Sequence, residues 1–139
     1  YMHDNGQGIP QDYLYEWILR AAQGNANAQY ILGSMYYNGR GVPQDYKTAA
    51  KWFTLAAEQG AAFAQFNLGM MYKNGDGVPK DYVYAHMWWN IAASPGNLAS
   101  VIKSASKNRD IVAERMTPAD ISAAQDLARE CVRKNYKGC

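Results

Sequence analysis

Chemistry in this 139-residue chain has to be sought first at two cysteines, Cys131 and Cys139, at two histidines, His3 and His86, and at a set of paired glycines. A thiol becomes a nucleophile when a base or a cation lowers its pKa. Cys131 has no such base near it in the sequence, so nucleophilic catalysis is not expected. Two cysteines do not make a disulfide framework. Two readings of the pair stay open: a bond that closes a short loop and pins the tail to the last helix, or a half-buried helical Cys131 beside a loose terminal thiol, with the redox compartment deciding. Neither histidine has a partner at i+3 or i+4, so no zinc pair is expected. The glycine pairs Gly6/Gly8, Gly39/Gly41 and Gly75/Gly77 lack the lysine, the preceding strand and the hydroxyl of a phosphate loop, and no nucleophile-elbow or dinucleotide fingerprint occurs. No catalytic residue, metal or cofactor is therefore expected.

What positions these residues is a recurrence. Asp45-Tyr46 returns as Asp81-Tyr82, Trp52 as Trp88, Ala56-Ala57 as Ala92-Ala93 and Gly60 as Gly96, each 36 residues on. A period between about 20 and 50 residues marks an array in which each unit cannot bury its apolar face alone and must stack on its neighbours. Within a unit, Asp45 is suited to cap a helix A whose Tyr46, Ala49, Ala50, Phe53, Ala56 and Ala57 share one face, with Trp52 at its edge. Gly60 supplies the positive φ that ends it. A helix B carrying Ala64, Leu68, Gly69 and Tyr72 runs antiparallel and stops at Asn74-Gly75. Small residues at Ala49, Ala56, Ala64 and Gly69 let the backbones approach, leaving Trp52, Phe53 and Tyr72 to fill the gaps between units. In the link GDGVP, Gly77 permits a turn and Pro79 holds Val78 extended. His86 stands where the preceding unit has Ala50, and a semi-buried ring with one backbone hydrogen bond is expected there.

The ends depart from the period. Met2-His3-Asp4-Asn5-Gly6 matches the ends of the later helices B, which predicts the tail of an upstream repeat over 1–7. Repeat one spans 8–40. Its step from Asp12 to Asp45 is 33 residues, and the spacing places the loss within its helix A. Repeat two spans 41–76. Repeat three, 77–116, is divergent: after Asn97, Leu98, Val101, Ile102, Ala105 and Val112 hold a second helix running toward Arg115. Thr117-Pro118-Ala119-Asp120 then reads as an N-cap, a proline at the first helical position and an acidic residue at the third. It opens a closing helix with Ile121, Ala124, Leu127, Ala128, Cys131 and Val132 on one face, in a final segment 117–139.

Composition bounds the rest. Hydrophobic residues at 48% exclude disorder, and no apolar run is long enough to span a membrane. The net charge of +2 is too small for a general nucleic-acid binder. The face of helix A turned away from the stripe differs between units: Lys47, Thr48, Lys51 and Leu55 in one, Val83, Tyr84, Met87 and Ile91 in the next. Lys47, Lys51, Leu55, Tyr84, Met87 and Ile91 are the candidate partner-binding set. Either they form a groove for a peptide or partner helix, or Tyr84, Met87 and Ile91 receive Ile121 and Leu127 of the closing helix.

The unit A-x-A-Q-x-x-L-G-x-x-Y-x-x-G-x-G-V-P-x-D-Y-x-x-A-x-x-W-x-x-x-A-A resembles the Sel1-like repeat, a bacterial and eukaryotic relative of the tetratricopeptide repeat. The likeness runs from about Gly6 to Gly96, and the stretch from Arg109 to Glu130 resembles the closing helix of bacterial members. The resemblance implies an all-α, right-handed α/α solenoid whose first helices line the concave side. It also implies a non-catalytic adaptor for a protein or peptide partner, in a periplasmic or secreted setting rather than the cytoplasm. The rival from another class is a cell-envelope ligand-binding protein or hydrolase acting on a peptidoglycan-like or β-lactam-like molecule. A cysteine-rich branch of the family has been linked to β-lactam binding, but its regular cysteine pair in every unit is missing here.

Overall fold

The computed structural model describes the backbone from Gln11 and the side chains from Tyr13, both through to Cys139. The expected upstream repeat tail, with His3, lies outside those residues. Seven helices follow in order: α1 Gln11–Ala22, α2 Ala26–Asn38, α3 Tyr46–Ala57, α4 Ala62–Asn74, α5 Tyr82–Ala92, α6 Ala99–Ala113 and α7 Pro118–Arg133. The odd-numbered helices α1, α3 and α5 are the helices A, and α2, α4 and α6 are the helices B.

Local chemistry starts and stops these helices as the sequence predicts. Asp45 is extended, with φ −153°, and its carboxylate accepts from the Thr48 N–H, while Asp81 does the same for the Tyr84 N–H. Each of these caps satisfies one of the backbone donors a helix start leaves unpaired. The link is tied back as well: the Asp45 N–H donates to the Tyr36 carbonyl and the Asp81 N–H to the Tyr72 carbonyl, both at 2.9 Å. Gly77 is obligatory for two reasons. Its φ is +75°, and a Cβ there would lie 2.5 Å from the Tyr46 carbonyl, so the link of one repeat rests on the first turn of the preceding helix A.

Repeat one corrects the sequence reading. α1 has 12 residues, as α3 has, so the missing residues are not lost from within the helix. Counted back from Gly24 and Gly60, Trp17, Phe53 and Trp89 stand at equivalent positions.

That position holds the array together. α2 lies against α3 more extensively than against α1, and α4 against α5 more than against α3. The cause is visible at two helical glycines. A Cβ on Gly33 would sit 2.6 Å from the Phe53 ring, and one on Gly69 would sit 2.4 Å from Trp89 Nε1. α3 and α5 therefore each push an aromatic ring into a gap that only glycine leaves in the preceding helix B. The Trp89 N–H donates to the Phe66 carbonyl at 3.1 Å, which satisfies its polar atom inside the core. Within repeats one and two a buried glutamine does the complementary polar work. Gln29 Nε2 donates to the Ala21 carbonyl and Gln65 Nε2 to the Ala57 carbonyl, both at 3.1 Å, as a second donor to carbonyls that already accept from the Gly24 and Gly60 N–H groups.

The last helix docks on α5. Thr117 caps it by accepting from the Asp120 N–H, with Pro118 in its first turn. Only part of the expected stripe is covered: Ala124, Ala128 and Cys131 are buried, whereas Leu127 and Val132 remain exposed. Small side chains let α7 come close, so the long side chains of α5 do the filling. The helix ends in a left-handed residue at Asn135, where the Asn135 N–H bonds Val132 and the Tyr136 N–H bonds Cys131, the six-residue closure usual at such termini. Cys131 and Cys139 are joined by a disulfide with Cα atoms 5.6 Å apart. The tail is thereby laid over the end of α3, where the Gly138 N–H donates to Glu58 Oε2 at 3.2 Å and the Tyr136 ring approaches Gly60.

His86 is also buried, at 3% exposure, and its Nδ1 has no hydrogen-bond partner. The ring is deeper than the semi-buried position expected, and this nitrogen lacks a backbone bond. Burial lowers its pKa first, the nearby Arg109 guanidinium of α6 lowers it further, and Asp110 opposes both.

Three outcomes follow from this packing. Gly69→Ala gains about 1 kcal/mol of helix propensity but must displace the Trp89 ring at a cost of about 1–3 kcal/mol, so urea unfolding should show a net loss; an unchanged or raised midpoint contradicts the interlock. Opening the Cys131–Cys139 bond with a dithiol should lower the unfolding free energy by about 2–3 kcal/mol, as expected for so short a loop, and no change would show that the tail is held by its other contacts. A folded-state His86 pKa below the unfolded value of about 6.5 means both states are neutral above that pH. Stability is then lost as pH falls from about 6.5 through the folded pKa, because the unfolded chain binds the proton more readily. The urea midpoint of the wild type should fall more between pH 8 and 5.5 than that of His86→Ala, and parallel curves would contradict this.

Candidate interaction surface

The structure brings three of the six candidate residues together. Lys47 and Lys51 are exposed one turn apart on α3, and Leu55 is 44% exposed a turn further on. With Ala50, Thr54 and Val78 they line an open depression of about 550 Å³. Val78 comes from the link of the next repeat. Sequence predicts only an extended residue before Pro79 there, and the Gly77 turn that lies on Tyr46 also brings Val78 beside α3. The recurrence of Gly-Val-Pro at Val42 and Val78 was the signal available for it.

Met87 and Ile91 are elsewhere. At 1% and 2% exposure they belong to a buried cluster with Ala128 and Cys131, so α7 covers them and they offer a partner nothing. Of the two readings left open for this apolar face, the docking of the closing helix holds for these two residues. Ala128 and Cys131 share their cluster, whereas the expected Leu127 stays exposed. Tyr84 is only half-buried. Its ring meets Tyr72 edge-on at 5.2 Å, one turn before the covered residues.

The depression has an apolar floor from Leu55, Ala50 and Val78 and two ammonium groups at its rim, with no carboxylate among its lining residues. Such a surface suits an extended or helical segment that carries apolar and acidic side chains together. It does not suit bond-breaking chemistry, for which convergent acids, bases or nucleophiles are required. Among the described residues no group of histidine, cysteine, aspartate and glutamate is placed to hold a metal ion. No described helix is long and apolar enough to cross a membrane.

Comparison with known proteins agrees with this architecture. The family model for the Sel1 repeat matches residues 1–25, 26–60 and 62–97. The segments 26–60 and 62–97 pair a helix B with the following helix A, so their frame is offset by one helix from the repeats drawn above. Among solved structures, the c5321 protective antigen of uropathogenic Escherichia coli, described as displaying an SLR fold, is 31% identical with a TM-score of 0.78, covering 86% of this chain and 26% of its own. A Sel1 repeat protein from Oxalobacter formigenes is 36% identical with a TM-score of 0.62, covering 69% of this chain and 39% of its own. The chain thus spans well under half of either relative's length. No curated protein matches. Sel1 repeat proteins are generally protein-interaction scaffolds. Three matched repeats, three helix pairs among the described residues, and solved neighbours of the same fold establish that this chain belongs to the Sel1 repeat family.

Proposed function

We propose that the chain is a non-catalytic docking module that holds an acidic and apolar segment of a partner protein on the outer face of α3, the face expected to be concave. The observation that carries this is the depression in which Lys47, Lys51 and Leu55 meet Val78 without an opposing carboxylate. Leu55 and Val78 supply the apolar contact and the two lysines steer and orient an acidic partner. Tyr84 extends the same helix-A face by one repeat. The open shape of the depression supports an adaptor over an enzyme that must exclude water from a reacting centre. The disulfide between Cys131 and Cys139 supports a setting outside the reducing cytosol.

Panning a random peptide library on the folded protein tests the reading. Recovered peptides should combine acidic with apolar residues, and the Lys47→Glu/Lys51→Glu protein should bind them at least about tenfold more weakly, with Leu55→Ala weakening binding less. Equal binding by the charge-reversed protein would overturn the assignment.

A further inference from the structure

A second set of surfaces lies on the helices B. α2 packs on α3, and α4 packs on α3 and α5, so α2 and α4 flank a cleft of about 320 Å³ whose floor is the Phe53 ring. Tyr30, Ser34 and Asn38 stand on the α2 side and Phe66 and Asn67 on the α4 side. The volume is at the lower end of the roughly 300–1,000 Å³ usual for small-molecule sites. One repeat further, between α4 and α6, a second cleft of about 250 Å³ shares Phe66 and Asn67 and adds Phe63, Ser100 and Ser104. Phe63 is 47% exposed, and its ring centroid lies 6.0 Å from that of Tyr30.

Neither cleft is lined by an aspartate, glutamate, lysine or arginine. Their ligand is therefore neutral, since nothing there would compensate a desolvated charge. What they offer is aromatic rings beside amides and hydroxyls. Among the described residues, the side chains of Ser34, Asn38 and Asn67 make no hydrogen bond within the protein, so their donors and acceptors are free for a ligand. A pyranose ring has complementary chemistry, with a C–H face that packs on an aromatic ring and a rim of hydroxyls that exchange hydrogen bonds with amides. Two such clefts one repeat apart, sharing a wall, match a ligand that is itself a chain of like units.

We propose that these clefts bind a short neutral saccharide. Met70, partly exposed at the floor beside the buried Phe53 ring, receives the acetamido methyl of an N-acetylated sugar, and Asn38 and Asn67 pair with its hydroxyl and amide groups. This site is separate from the lysine-rimmed depression on α3, and either can fail without the other.

The test is a titration of the intact protein with N,N′-diacetylchitobiose, followed by calorimetry and by the side-chain amide signals of Asn38 and Asn67 in nitrogen-labelled protein. Saturable binding that shifts both amides is expected, weakened at least about tenfold by Asn67→Ala and by Phe66→Ala and unchanged by Lys51→Glu. Asn67→Ala removes no contact within the protein core, so it remains informative should Phe66→Ala unfold. Cellobiose, which lacks the acetamido group, should bind more weakly. Absence of saturable binding, affinity unaffected by Asn67→Ala, or shifts confined to the α3 face would overturn the proposal, and equal binding of cellobiose would overturn the role given to the floor.

Discussion

For the ring of Trp89 to reach the backbone of α4, α4 must present hydrogen where every other residue presents a side chain, and Gly69 is where it does so. Phe53 on Gly33 repeats the arrangement one unit earlier. Large-into-small packing of this kind fixes distance and register together, because the ring fits at one position along the facing helix and clashes at its neighbours. Chain-local chemistry then only has to deliver the helices to the right place. The aspartate caps set where α3 and α5 begin, and the glutamines Gln29 and Gln65 fasten the ends of α1 and α3 to the helix B that follows each.

An array built on such seams has open ends and two unsatisfied long faces. At the C-terminal end the problem is met by α7, whose alanines sit close on α5, and by a disulfide-closed tail that reaches back to the end of α3. The cost is that part of the helix-A face is consumed, since Met87 and Ile91 now serve the core. The face that remains open is on α3, where the repeat carries lysines. On the other side, successive helices B pack on helices A rather than closely on each other, and the gaps between them become clefts. A scaffold of this type presents surfaces that recur with the repeat.

Much of this was legible in the residues. The 36-residue recurrence, the Asp45 cap, the Gly75 stop and the Thr117-Pro118 start each rest on local chemistry that one sequence displays in full. Trp52, Phe53 and Tyr72 are all legible as fillers of the gaps between units, but that Phe53, with Trp89 at its place one unit on, is the ring that locks the seam depends on how two helices roll against each other. For α1, alignment on Asp12 and Asp45 places the missing residues in the helix, whereas alignment on Gly24 and Gly60 keeps Trp17 in register with Phe53 and Trp89. For the site, Lys47, Lys51 and Leu55 were readable as one face. The contribution of Val78 and the burial of Met87 and Ile91 depend on which element lies above them, and no pattern within α5 encodes that.

The central claim is that the seams between repeats, α2 on α3 and α4 on α5, hold the molecule more firmly than the hairpins within repeats. Native-state hydrogen exchange in low urea addresses it most directly. The account predicts that amides of α4 and α5 lose protection together at one free energy, and α2 with α3 at another, in units that straddle the repeat boundary. Joint opening of α3 with α4, while α5 keeps its protection, would contradict it.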